Sequence, residues 1–91
     1  MKISDEVRLS PDVITREMGD ETILLDLASG MYFGLDPVGA RFLALVEQGK
    51  SPLQARDSLL ELYKIDPAVL DQDLEALLEN LSLNGIVKAK L

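Results

Sequence analysis

The sequence contains no cysteine, no histidine and no tryptophan. Without Cys there is no disulfide, no zinc finger and no thiolate nucleophile. Without His the usual proton shuttle near neutral pH is missing. Cations are scarce as well: nine Lys and Arg face sixteen Asp and Glu, a net charge of −7. Such a balance favours solubility and repels nucleic acid and anionic membrane. No apolar run approaches the length of a membrane span. The opening MKISDEVRLSPDV is acidic early and lacks an apolar stretch, so it is not expected to act as a signal peptide. No glycine-rich loop cradles phosphate: Gly30-x-x-x-Gly34 is not followed by Gly-Lys-Ser/Thr. The paired carboxylates Asp71/Asp73 and Asp20/Glu21 lie on the surface of a small domain. Acid–base work instead needs a carboxyl group perturbed within a pocket. The expectation is a chain that is not an enzyme and carries no cofactor or metal.

What remains is 91 residues, 47% of them hydrophobic. This composition argues against disorder and for one small core, so residues 1–91 are expected to form a single domain. Val7 to Leu9 reads as a short strand, and Val13 to Met18 as a β-branched run closed by a turn at Gly19-Asp20. Thr22 to Leu27 is a stronger strand. Ala28-Ser29-Gly30 turns the chain into a further strand, Met31 to Leu35, expected at the edge of the sheet.

Three helices follow, at about 37–48, 52–63 and 67–83. Asp36-Pro37, Ser51-Pro52 and Asp66-Pro67 each place a capping side chain before a proline at the first helical position. Gly49 and Asn84-Gly85 are left-handed stops. The fold class is α+β: an N-terminal three-stranded antiparallel meander followed by three helices, a winged-helix-like order.

The first two helices show narrow stripes, Val38, Phe42, Leu45 and Val46, then Ala55, Leu59, Leu62 and Tyr63, of the kind that face a core. The third is broader. Leu70, Leu74, Leu77 and Leu81 centre its stripe; Leu78 widens one flank, and Val69 and Ala76 the other. Its charges are all acidic, with no Lys or Arg between Ile65 and Val87. A DNA-reading helix needs cations, so nucleic acid is not an expected partner. An extended peptide suits the pattern better, since an edge strand offers unpaired N–H and C=O groups. In Met31 to Leu35, alternation puts Met31, Phe33 and Leu35 on one face, Tyr32 and Gly34 on the other. Gly34 leaves room for close approach. Asp73, beside the apolar flank, could accept a hydrogen bond or pair with a basic peptide residue. Asp71 and Glu75 point further from the stripe and are expected to be merely solvated.

Several segments, in this order and spacing, resemble the PqqD-like family, named for coenzyme PQQ synthesis protein D. They are Ile23-Leu24-Leu25-Asp26, Gly30-Met31-Tyr32-Phe33-Gly34-Leu35-Asp36, Gly39-Ala40-Arg41-Phe42, Glu47-Gln48-Gly49-Lys50-Ser51, Asp73-Leu74-x-x-Leu77-Leu78-x-x-Leu81 and Gly85-Ile86-Val87. The resemblance spans residues 13 to 87. Family members recognise leader peptides in the biosynthesis of ribosomally made, modified peptides. The run Gly-x-Tyr-Phe-Gly-Leu-Asp-x-Val-Gly-Ala-Arg is most similar to the stand-alone proteins of lasso-peptide pathways. The PQQ branch, which passes its precursor to a radical-type modifying enzyme, is the alternative. That branch typically has Leu-Asn and Ser-Ala where this chain has Leu35-Asp36 and Gly39-Ala40.

The resemblance implies that a precursor's leader adds as a strand beside Met31, Tyr32, Phe33, Gly34 and Leu35. The leader would lie against Val69, Leu70, Asp73, Leu74 and Leu77 and be presented to a leader-cleaving protease in the cytoplasm. The same edge could pair two copies of the chain.

Overall fold

Each helix begins where the sequence places a cap. In the computed structural model, which describes residues 2–19 and 21–89, Asp36 accepts a hydrogen bond from the Gly39 N–H at 2.7 Å and starts α1 (Pro37–Glu47). Ser51 and Gln54 form a reciprocal capping box at the start of α2 (Pro52–Leu62). Asp66 accepts from Ala68 N–H at 2.8 Å and starts α3 (Pro67–Leu83). The stops are equally local. Gly49 (φ 100°) and Gly85 (φ 74°) adopt the left-handed conformation. Lys50 N–H then bonds Leu45 C=O, and Ile86 N–H bonds Leu81 C=O, closing α1 and α3 with Schellman turns.

Ahead of the helices lie β1 (Val7–Leu9), β2 (Val13–Met18), β3 (Glu21–Asp26) and β4 (Tyr32–Leu35). Strands β2, β3 and β4 form an antiparallel meander in that order, so the fold is α+β as expected and β4 is an edge. Three strand boundaries shift: β3 starts one residue earlier, at Glu21, and Leu27 and Met31 fall outside the strands, in the turn that joins β3 to β4. The turn expected at Gly19-Asp20 is described only through Gly19 (φ 65°), since Asp20 lies outside the described residues. A final strand, β5 (Val87–Ala89), pairs antiparallel with β1. The sequence reading did not anticipate it.

The core is leucine-rich. Leu24 on β3, Phe42 and Leu43 on α1, Ala55 and Leu59 on α2, and Leu74, Leu78 and Leu81 on α3 meet there, closed by Ile86 and Val87. Two stripe expectations need correction. Leu43, outside the expected stripe of α1, is buried, and Leu62, inside that of α2, is 59% exposed because the chain leaves the helix there. No helix among the described residues is long and apolar enough to cross a membrane, and no group of metal-binding side chains is found among them.

The acids of α3 depart most from expectation. Asp71 is not merely solvated: Arg56 of α2 grips it with Nε at 2.6 Å and Nη2 at 2.9 Å. Glu75 accepts a hydrogen bond from the Ile3 N–H at 2.8 Å. The Arg56 hydrogen bonds hold the Asp71 carboxyl below its usual range despite partial desolvation, and Asp71 raises Arg56 in turn. A carboxyl whose pKa is lower folded than unfolded stabilises the fold above the unfolded value, near pH 4. That contribution fades as pH falls through the folded value. Asp71→Asn should therefore cost up to about 1 kcal/mol at pH 7. The gap from wild type should narrow in thermal melts as the pH is lowered below about 4, whereas a gap that does not change in acid would contradict this assignment.

Candidate functional site

The turn joining β3 to β4 sets the site's geometry. Asp26 is only 7% exposed, and its carboxylate accepts from Ala28 N–H at 3.1 Å and from the Ser29 hydroxyl at 2.8 Å. Ser29 Oγ in turn accepts from Met31 N–H at 3.2 Å. Across the turn Asp26 N–H donates to Met31 C=O at 2.9 Å, and Gly30 (φ 75°) lets the chain reverse.

That bond fixes the phase of the ladder. Opposed residues in an antiparallel pair alternate between bonded and non-bonded. Asp26–Met31 is a bonded position, so Leu24–Phe33 and Thr22–Leu35 are the next two. On the other side, Leu27 N–H bonds Asp12 C=O, which gives β3 the complementary phase toward β2. The N–H and C=O groups of Tyr32 and Gly34 therefore point away from the sheet, along its open edge. Phe33 and Leu35 turn their side chains inward, Leu35 to 7% exposure, whereas Tyr32 is 70% exposed. A Cβ built on Gly34 would meet nothing within 4 Å, so the chain's own packing does not require a glycine there.

Beside the end of this edge is a pocket of about 220 Å³ between β4, the first turn of α1 and α3. Leu70 and Leu74 form its floor, Val38, Ile65 and Leu77 its walls, and Asp36 and Asp73 its rim. The row Val69, Asp73, Leu77 recurs every four residues and looks outward, while Leu78 is fully buried, so the open flank of α3 is the Val69 side. The Asp73 carboxylate has no hydrogen-bond or ion-pair partner among the described residues. A larger cleft of about 540 Å³ lies between the β2–β3 hairpin and α1. Glu17, Glu21, Arg41 and Glu47 line it beside Leu35, Ala40, Ala44 and Tyr63, so its lining is more polar than that of the β4–α3 pocket.

The structure brings Gly34, Leu35, Leu70, Asp73, Leu74 and Leu77 together at one pocket. Val69 stands on the exposed flank above it, at 49% exposure. Met31, Tyr32 and Phe33 do not line the pocket; they extend the edge away from it, with Phe33 half-buried against the core. Leu70 and Leu74 are 1% and 2% exposed, so they offer a floor and not a projecting contact. Asp36, Val38, Gly39 and Ile65 were missed as site residues. Asp36 was read as a cap only, and Ile65 belongs to a loop whose direction no local pattern gives.

Gly39 allows the close approach that shapes the pocket mouth. A Cβ there would sit 3.1 Å from Asp36 Oδ1 and 3.3 Å from Leu77 Cδ2. Gly39→Ala gains up to about 1 kcal/mol of helix propensity and loses about as much to crowding. Global stability should stay within about 1 kcal/mol of wild type while the Leu77 methyl resonances move. Unmoved Leu77 methyls would rule out the contact.

A sequence profile described as coenzyme PQQ synthesis protein D (PqqD) matches residues 21–87. No curated protein matches the chain. Two solved structures are similar over almost their whole length. One is TbiB1 in complex with the TbiA(beta) leader peptide, 33% identical, with a TM-score of 0.81 over 92% of this chain and 98% of that one. The other is lasso peptide synthetase B1 complexed with the leader peptide, 28% identical, with a TM-score of 0.78 over 91% and 98%.

Proposed function

The chain belongs to the family of coenzyme PQQ synthesis protein D, and on that premise we propose that it binds the leader segment of a ribosomally made precursor in lasso-peptide biosynthesis and hands it to a leader-cleaving protease. The leader joins the sheet as a strand beside β4, and one or more of its apolar side chains enter the pocket against α3. The observation that carries this reading is the open Tyr32 and Gly34 backbone beside the Leu70/Leu74 floor. Both similar solved structures hold a leader peptide, which supports it. We read residues 1–91 as one recognition domain without catalysis or cofactor, acting in the cytoplasm where precursors are made.

Magnitudes divide the labour. Tyr32 and Gly34 offer four backbone groups, worth about 0.5–1.5 kcal/mol net each. Ordering a flexible leader costs about 2–5 kcal/mol, so the strand bonds do little more than offset it. Net affinity must come from the pocket, where burying one aromatic side chain of about 200 Å² at about 25 cal/mol per Å² supplies about 5 kcal/mol. The edge thus sets direction and register, and the pocket sets strength and selectivity. Asp73 adds a carboxylate acceptor at the rim for a hydroxyl or a basic side chain. A second copy pairing along β4 would compete with the leader.

The PQQ-type reading, with delivery to a radical-type modifying enzyme, draws on the family description alone. Leu35-Asp36 and Gly39-Ala40 count against it.

Titration of a synthetic leader, followed by fluorescence anisotropy, tests the proposal. Tyr32→Ala and Asp73→Ala should fold like wild type and each weaken binding by about tenfold. Phe33→Asp should lose folding and binding together. A scan of backbone N-methylation along the leader should abolish binding at alternate positions, because only every second amide faces β4. If both single variants bind like wild type and methylation shows no period of two, the strand-addition reading fails.

A further inference from the structure

The β1–β5 ribbon turns one face to the core and leaves the other to solvent. Val7 and Val87 are buried and Leu9 packs against the core, so Arg8 and Lys88, opposed across the ribbon, stand on the outer side. Ser10 N–H bonds Ile86 C=O at 2.8 Å, which makes Arg8–Lys88 the next bonded pair along the ladder. Their Cα atoms are then about 5.5 Å apart. Both side chains are exposed, and neither makes a hydrogen bond or ion pair with another described residue. Like charges directly opposite weaken a strand pair, and here two cations meet in a chain of net charge −7. Beside them is a cavity of about 440 Å³, lined by Arg8, Leu9, Ser10, Pro11 and Lys88.

We propose that Arg8 and Lys88 form a docking site for an acidic, extended segment of another protein, with its carboxylates on the two cations and an apolar neighbour against Leu9 and Pro11. The inference stands apart from the functional reading above, since these residues belong neither to the meander nor to the β4–α3 pocket. The chemistry of the site selects the occupant. Two unpaired cations call for an anion. A phosphate is typically cradled by several convergent backbone N–H groups, and the cavity offers too few. The N–H groups of Arg8, Ser10 and Lys88 are spent within the ribbon, and Pro11 has none. Asp12 N–H donates to the Ser10 hydroxyl at 3.3 Å, which leaves only that of Leu9 uncommitted. Carboxylates, by contrast, are held by side-chain cations alone. Nucleic acid and anionic membrane draw on many cations together, and the sixteen Asp and Glu of this chain repel both. An acidic peptide remains, and its spacing fits. Alternate side chains of an extended strand are about 6.6 Å apart, within reach of the two flexible cationic stems.

The experiment titrates the full chain into a short fluorescent peptide of alternating Glu and Leu and reads anisotropy. The same peptide with Gln in place of Glu, and inorganic phosphate as a competitor, are the comparison probes. The Glu/Leu peptide should bind and the Gln/Leu peptide should not. Arg8→Gln and Lys88→Gln together should weaken binding about tenfold, whereas Lys64→Gln, which removes an exposed cation elsewhere, should stay within about twofold of wild type. Because the lost pair is one of like charges, the double variant should melt no lower than wild type. Amide shifts on binding should centre on β1 and β5 and spare Tyr32 and Gly34. A wild-type chain that ignores the Glu/Leu peptide, a double variant that binds it equally well or melts lower, or shifts centred on β4 would each overturn the proposal. Displacement of the peptide by phosphate marks a simple anion site, and self-association lost in the double variant marks a second copy as the occupant; either result overturns the peptide assignment. None of these outcomes bears on leader binding at β4, which its own titration decides.

Discussion

One backbone hydrogen bond, Asp26 N–H to Met31 C=O, governs everything that β4 can offer. Sliding a strand by one residue exchanges both its faces and its edges. With the observed phase, Leu35 enters the core, Tyr32 and Gly34 keep open backbone groups, and Asp36 arrives in place to cap α1. With the opposite phase, Phe33 would present its backbone outward and its ring to solvent. The turn is secured several times over: the buried Asp26 carboxylate holds Ala28 and Ser29, and Ser29 holds Met31. Such redundancy suits an edge strand, which has a neighbour on one side only.

The last helix meets two demands with two rows of side chains. Asp71 and Glu75, one turn apart, tie it to α2 through Arg56 and to the N-terminal segment through Ile3. Val69, Asp73 and Leu77 lie roughly opposite, since two residues advance the helix by about 200°. The ion pair and the hydrogen bond therefore fix the rotation that turns the second row toward β4. Exposed pairs add little to stability, so the value of these two contacts is orientation. Leu74, Leu78 and Leu81 complete the arrangement by anchoring the third side in the core.

Features that depend on neighbouring residues were legible in the sequence. Each cap-proline pair located a helix start to the residue, and Gly49 and Gly85 marked the stops, because those signals act within one turn. Period-two alternation placed Phe33 and Leu35 inward and Tyr32 outward. The failures share a cause: the deciding partner is remote. Three residues of β5 have no strand signal of their own and exist because β1 lies opposite, some eighty positions away. Arg56 and Asp71 sit on different helices, so Asp71 looked like any solvated acid. Of the site, six residues that meet at the pocket were named in advance, but Ile65 and Val38 became walls only through the packing of α1 against α3.

The β1–β5 ribbon has a consequence for how the two ends of the described fold are held. Val7 and Ala89 stand opposite one another, about 5 Å apart between Cα atoms. Val7 and Val87 are both buried, so the ribbon fastens the two ends of the described fold to each other as well as to the core. Trimming either strand would leave the other without its backbone partner.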